Sequence, residues 1–322
     1  MRLDGLVSTS PYSDLERPPL NEKALAKLLV RPRSLWREIR VVPETGSTNA
    51  DLVARAVEGA PEGTVLVAEE QTAGRGRLGR SWSAPPRSGL MFSMLLRPAE
   101  AGVPVARQAW LPLLTGVAVA AAVRKITARA RNERFSALAD LGGPGEESGH
   151  AANGNVLDAR LKWPNDVLVG ERKLAGILAE RADSGIVVGV GLNVSLHEDE
   201  LPVPTATSLT IEQAAFTDRE PLLRAILREF ELWYSAWCTV AGDAEADVPG
   251  GYPMVSGVPV RESMEGGLRK AYKNLSATLG REVRAELPGD RTITGTALDI
   301  DGSGRLVVGD HALTAGDVVH VR

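Results

Sequence analysis

Three strand-like runs crowd into residues 159–195: "ARLKWP" (159–164), "KLAGILAE" (173–180) and "GIVVGVGLNVS" (185–195). The links between them are too short for a crossover helix, which a parallel pair would need. These runs therefore pair antiparallel. Earlier runs, "EIRVV" (38–42), "GTVLVAEEQ" (63–71) and "LMFSMLLRP" (90–98), are rich in branched and apolar residues and also read as strands. Helical patterns lie among them. The expected class is α+β, with a mixed sheet in the main domain.

"WLPLLTGVAVAAAVRKI" (110–126) reads as a buried helix. The apolar stretch around it, Ala109 to Val123, is shorter than the ~18 residues of a membrane span and carries Pro112 and Thr115. "NEKALAKLLV" (21–30) reads as a short helix capped by Asn21. A later helix is expected to start at a capping box of Thr217 and Glu220 and to bury Leu223, Ile226, Phe230, Trp233 and Trp237 on one face. From Leu279 to Arg322 five short runs, broken by turns such as "PGD" and "DGSG", suggest a small antiparallel barrel.

The domains expected are an arm with a short helix (1–37), a main domain (38–270) and a small β domain (275–322). Two polar, Gly-rich or Pro-rich stretches, 129–157 and 241–267, read as insertions or linkers. The arm is too short for a winged-helix DNA-binding domain, and a net charge of -4 also argues against a DNA partner. No signal-length apolar core stands at the N-terminus. The single cysteine, Cys238, allows no internal disulfide and fits helix-end packing in a cytoplasmic protein. The four histidines (150, 197, 311, 320) show no metal-ligand spacing, and His150 reads as a solvated loop residue.

The most specific motif is "GRGRLGR" (74–80). Its glycines match the G-x-G-x-x-G of a dinucleotide turn, which must open a helix. Pro85 and Pro86 follow instead and forbid one. Glycines let a loop approach an anion and change shape, and arginines grip carboxylate or phosphate through paired bonds. The loop therefore reads as a lid over an anionic ligand. "GSTN" (46–49) precedes a helical pattern, where free N–H groups and the Ser47 and Thr48 hydroxyls meet. In "KWPNDV" (162–167), Lys162 suits phosphate and Asp166 suits Mg²⁺. Lys173 stands at the rim of a strand, and "GVGLNV" (189–194) ends another at Gly191 and Asn193. There is no P-loop, no zinc-protease motif and no nucleophilic triad. Positive charge, a possible Mg²⁺ and glycine loops are the equipment of phosphoryl or nucleotidyl chemistry.

In this order, "GSTN", "EEQTAGRGRLGRSW", "LKWPNDV", "KLAGILAE" and "GVGLNVS" resemble the biotin protein ligases over residues 38–322, insertions apart. The tail "AGDVVHVR" is similar to that family's SH3-like C-terminal domain. The resemblance implies the class II synthetase and biotin–lipoate ligase fold. It implies use of ATP and Mg²⁺ to make biotinyl-5′-AMP, then transfer to a lysine of the biotin carboxyl carrier protein of an acyl-CoA carboxylase. By motif, Ser47, Thr48, Asn49 and Gln71 would contact biotin, while Gly74, Arg75, Gly76 and Arg77 would close over it. Lys173 would meet the biotin carboxylate and the α-phosphate, with Arg75, Arg77 and Lys162 screening charge. Trp82 would pack under the lid, and Gly176, Gly191 and Asn193 complete the expected site, with Asn165 or Asp166 toward Mg²⁺. A lipoate or octanoate ligase is the nearest alternative, and a biotin-sensing DNA-binding repressor is another. No membrane partner is expected, and the chain would act as a monomer or homodimer.

Overall fold

A computed structural model describes residues 17–140, 154–183, 185–248, 266–287 and 291–321. Its centre is a seven-stranded sheet of β1 (Glu38–Val42), β2 (Thr64–Ala68), β3 (Gly89–Leu96), β4 (Ala159–Lys162), β5 (Asp166–Val169), β6 (Arg172–Ala182) and β7 (Gly185–Asn193). The order is β1-β2-β3-β7-β6-β5-β4. Only β1 and β2 run parallel, joined through helix α2 (Thr48–Val57), and the other neighbours are antiparallel. The sheet is mixed, as the strand spacing implied. Strand β5 went unread because its four residues, "DVLV", sit inside a motif dominated by turn residues.

Alternation along β3 divides the core between two faces. Leu90, Phe92, Met94 and Leu96 join the large cluster with α3 (Leu111–Asp140) and α4 (Arg219–Thr239). Leu95 points the other way, to Leu52 and Ala56 of α2. Burying each such large side chain contributes about 1.5–3 kcal/mol. Met91 and Ser93, at alternate positions from Leu95, share the α2 face, and the site described below lies there. On the large cluster's side, α1 (Glu22–Leu29) starts where the Asn21 side chain accepts from Ala24 N, as expected.

Three expectations change. First, α3 runs past Ile126 to Asp140 and takes in the front of the 129–157 stretch. That segment has no Gly or Pro, and Arg129 pairs with Glu133 one turn on at 2.7 Å. Second, this helix is longer than its apolar stretch suggested, and Val105–Glu133 is long and apolar enough to cross a membrane. The apolar window is 67% buried inside the fold, which marks a core helix. Third, α4 is capped by Asp218, whose side chain accepts from Glu220 N; Thr217 stands one residue outside. The apolar face of α4 is as expected, with Trp233 only partly buried. At its end, burial pushes the Cys238 thiol up to about 12, in keeping with packing.

The C-terminal sheet holds β8 (Glu282–Leu287), β9 (Arg291–Ile300), β10 (Leu306–Val308), β11 (His311–Leu313) and β12 (Asp317–His320). All its pairs are antiparallel, and the order β11-β10-β9-β8-β12 leaves β11 and β12 as edges. Helix α5 (Gly267–Leu275) precedes it. Two indoles fix it to the main body: Trp110 Nε1 donates to Gly302 O at 2.8 Å and Trp163 Nε1 to Gly304 O at 3.0 Å. Trp163 is thus buried as a brace. Residues 1–16 of the arm, His150, the "PGD" turn and the middle of both insertions lie outside the described residues.

Candidate active site

A cavity of about 1050 Å³ opens on the α2 face of the sheet. It gathers side chains from α2, the arginine loop, β4 to β7 and β12. Of the residues expected at the site, all but Gly74 line it.

One end is polar, with Glu180 as its carboxylate. Ser47 caps α2, accepting from Ala50 N, and the buried Thr48 and Asn49 form the first turn. Gln71 Oε1 accepts from Thr48 N at 2.8 Å and stands 3.0 Å from Thr48 Oγ1. Asn49 Nδ2 donates to Glu180 Oε2 at 2.7 Å. Beneath them, Ser93 Oγ lies 2.6 Å from Asn49 Oδ1 and 2.8 Å from Thr48 Oγ1.

The floor is made of glycine. Gly189 and Gly191 alternate along β7 and so face the same side. A Cβ on Gly189 would lie 2.1 Å from Asn49 Oδ1, and one on Gly191 would lie 2.4 Å from Trp82 Cε2. Gly176 pairs with Gly191 across β6 and β7, and a Cβ there would lie 3.1 Å from both Trp82 Cζ3 and Lys173 Nζ. The missing side chains of Gly176 and Gly191 thus make the bed on which the Trp82 indole rests, and that of Gly189 leaves room for Asn49.

The other end is charged. Lys173 Nζ stands 2.6 Å from Asp166 Oδ1 and 5.8 Å from the centre of the Trp82 ring. Asp166 Oδ1 accepts no well-aligned hydrogen bond although it is buried, so the lysine contact is ionic. Lys162 and His320 complete this end. Burial, with Lys162 and Arg281 nearby, holds the His320 imidazole below its ordinary value against the pull of Glu171.

The arginine loop is a closed turn rather than the start of a phosphate-binding helix. Arg75 bridges Ser81, Gly76 N donates to Arg80 O at 2.7 Å, and Trp82 N donates to Gly74 O at 2.8 Å. Gly74 is required because a Cβ would lie 2.3 Å from Trp82 O. Leu78, at the tip, takes a left-handed φ of 55° and is 68% exposed. Arg77 reaches across the cavity to Asn165 Oδ1 and Gly316 O, each at 3.2 Å, and Arg80 pairs with Asp317. Burial pulls the Arg77 guanidinium below its ordinary value, while Asp317 and Asp166 oppose the shift.

Other expected residues have structural partners. The Asn165 amide donates to Ile177 O at 2.9 Å, and Asn193 Nδ2 donates to Thr207 O at 2.9 Å. Asn193 thereby holds the 205–207 loop against the cavity. Sequence reading missed Ser93, Glu180, Gly189 and the wall from β12. The glycine alternation in "GVGLNV" could have pointed to Gly189. Nothing local marks Ser93 or Glu180. Among the described residues, no group of three or more His, Cys, Asp or Glu could hold a metal.

Such an arrangement suits a ligand with a polar head, an apolar middle and an anionic end. The model for the "Biotin/lipoate A/B protein ligase family" matches residues 41–196, and that for the "Biotin protein ligase C terminal domain" matches 278–321. A protein named Biotin--[acetyl-CoA-carboxylase] ligase from Mycobacterium tuberculosis is 40% identical, across 96% of this chain and 98% of its own length. The Bifunctional ligase/repressor BirA of Escherichia coli is 32% identical, but the match covers only 51% of that longer protein. Among solved structures, the biotin protein ligase from Aquifex aeolicus in complex with biotin and ATP superposes with a TM-score of 0.62 at 25% identity, covering 89% of this chain and 100% of that one. With its cavity, its loop and a full-length relative in agreement, this chain belongs to the biotin protein ligase family.

Proposed function

We propose that this ligase joins biotin to a lysine of an acyl-CoA carboxylase's biotin carboxyl carrier protein in two ATP-dependent steps. A biotin carboxylate oxygen attacks the α-phosphorus of ATP and pyrophosphate leaves, giving biotinyl-5′-AMP. The lysine ε-amine then attacks the acyl carbon, AMP leaves, and the nitrogen loses a proton. The first step brings two anions together, which is where fixed cations lower the barrier.

The observation that carries this reading is the position of Lys173. It stands between the Trp82 face and Asp166, at the charged end of the cavity whose other end is the Thr48–Asn49–Gln71 cluster. A ligand with its ureido ring at the cluster and its valeryl chain along Trp82 and the glycine floor would present its carboxylate to Lys173. Arg75 and Arg77 would screen the adenylate and Lys162 the outer phosphates. Closure of the loop would keep water from the mixed anhydride. Asp166, with Asn165 beside it, fits the single carboxylate with which Mg²⁺ is often held alongside phosphates. Bound there, the metal would neutralise phosphate charge.

The division into arm (1–37), catalytic domain (38–270) and C-terminal domain (275–322) fits these roles, with β12 and the Gly316 turn closing the site. We place the reaction in the cytoplasm, without DNA or membrane, in a monomer or homodimer. ATP–pyrophosphate exchange with biotin, lipoate and octanoate side by side tests the reading. Exchange with biotin alone is expected, and exchange driven by lipoate or octanoate would overturn it.

A further inference from the structure

The polar end of the cavity is short of one proton. Asn49 Nδ2 faces Glu180 Oε2 at 2.7 Å and Leu178 O at 3.2 Å. A carboxylate and a carbonyl only accept, so the amide nitrogen is fixed there and Asn49 Oδ1 must turn to Ser93. At the far side Gln71 Oε1 accepts the Thr48 backbone N–H, so it too is an acceptor. Between these two fixed acceptors stand the Ser93 and Thr48 hydroxyls. The chain runs Asn49 Oδ1, Ser93 Oγ, Thr48 Oγ1, Gln71 Oε1, with spacings of 2.6, 2.8 and 3.0 Å. Three oxygen–oxygen contacts must share the two protons that two hydroxyls carry. However the hydroxyls turn, one contact sets lone pair against lone pair.

We propose that Ser93 is a positioning residue and that this proton-poor chain makes the site select ligands carrying N–H donors. The proposal rests on the biotin reading above and deepens it. An N–H delivered to Thr48 or Asn49 supplies the missing proton, and the ureido ring of biotin carries two. Lipoyl and octanoyl chains carry none and would leave buried oxygens facing one another. Sites built to hydrogen-bond a ligand donor can reject analogues lacking it by about 10⁴-fold. Ser93 is fully buried, opposite Gly189 in the β3–β7 register, and that glycine makes the room through which Asn49 reaches it. Ser93 therefore acts by setting the direction of the Thr48 and Asn49 bonds.

The test is a cycle between protein and ligand. Wild type and Ser93→Ala are titrated calorimetrically with biotin and with the two cyclic carbamate analogues in which one ureido N–H is replaced by oxygen. KM for biotin, KM for ATP and kcat are measured in pyrophosphate exchange. Ser93→Ala is expected to weaken biotin by about 10–100-fold, the cost of an orphaned buried acceptor, with KM for ATP and kcat near wild type. One carbamate is expected to lose at least about 100-fold against wild type and far less against the variant, so the losses do not add. Ser93→Cys, of similar size with a weak donor, should fall between and serves if the alanine variant does not fold. Additive losses, or equal losses for biotin and ATP, would overturn the role of Ser93 and leave the ligase reading intact. Wild type that does not bind biotin would sink both.

Discussion

Replacing Gly189 with alanine puts the polar end of the site to a direct test. The backbone tolerates alanine here, because Gly189 is not among the residues with left-handed φ. The cost lies in space: the new Cβ would stand 2.1 Å from Asn49 Oδ1 and 2.9 Å from its Cγ, against an ordinary contact of 3.4–4 Å. Asn49 must move by more than an ångström. That shift breaks its bonds to Glu180, Leu178 O and Ser93 together. At roughly 0.5–1.5 kcal/mol net for each bond, the loss is about 2–4 kcal/mol. Because Asn49 is tied to the ligand end, most of it should fall on biotin binding. With 1.4 kcal/mol per decade, biotin should weaken by about 30–700-fold. Calorimetric titration with biotin reads the affinity, and a melting curve shows how much of the loss is global. A folded Gly189→Ala protein binding biotin within about threefold of wild type would refute the placement of Asn49, given the tenfold per 1.4 kcal/mol scale.

Three further outcomes follow from the charged end. Lys173→Ala should lower biotin-dependent pyrophosphate exchange by about 10³-fold, the scale of losing one preorganised charge; near-normal exchange would remove Lys173 from the chemistry. Arg77→Gly should loosen the loop from Asn165 and Gly316 and release free adenylate, seen as biotin on bystander lysines; labelling of the carrier alone would refute a lid role for Arg77. His320 is held below its ordinary 6.5, so the unfolded chain takes up this proton first as pH falls. Its contribution is therefore neutral above that value and destabilising as pH drops below it toward the folded-state value. Lys162, Arg281, Glu171 and Thr278 face the ring, and His320→Gln should make the fall in melting temperature between about pH 7.5 and pH 5.5 shallower. Equal slopes would show that His320 does not set the dependence.

Much of the fold could be read from local pattern. Antiparallel pairing of β6 and β7 follows from the short link between "KLAGILAE" and "GIVVGVGLNVS". The two prolines after "GRGRLGR" excluded a dinucleotide turn, and the loop is closed by the Arg75–Ser81 bridge. What local pattern could not carry was anything decided by partners far along the chain. Thr217 and Asp218 are both good caps, and backbone geometry at one residue chose the second. Ser93 is an ordinary serine in an apolar strand until Asn49, 44 positions earlier, is laid over it through Gly189. The β12 wall could not be foreseen, because the Arg80–Asp317 pair joins residues 237 apart.

That wall has a consequence for how charge enters the cavity. Three cations around the charged end already carry a counter-ion or polar group of the chain's own: Asp166 for Lys173, Asp317 for Arg80, and Gly316 O with Asn165 for Arg77. An incoming phosphate or carboxylate is therefore exchanged for these groups rather than added to bare positive charge. Beyond a Debye length of about 10 Å the two ion pairs cancel, so attraction from a distance falls to the other cations of the lining, Arg75, Arg77 and Lys162. The protein supplies the site with its own internal salt. The two ion-paired cations should accordingly add little to the ionic-strength dependence of nucleotide binding, and the carboxylates displaced from them are freed to follow the loop when it moves.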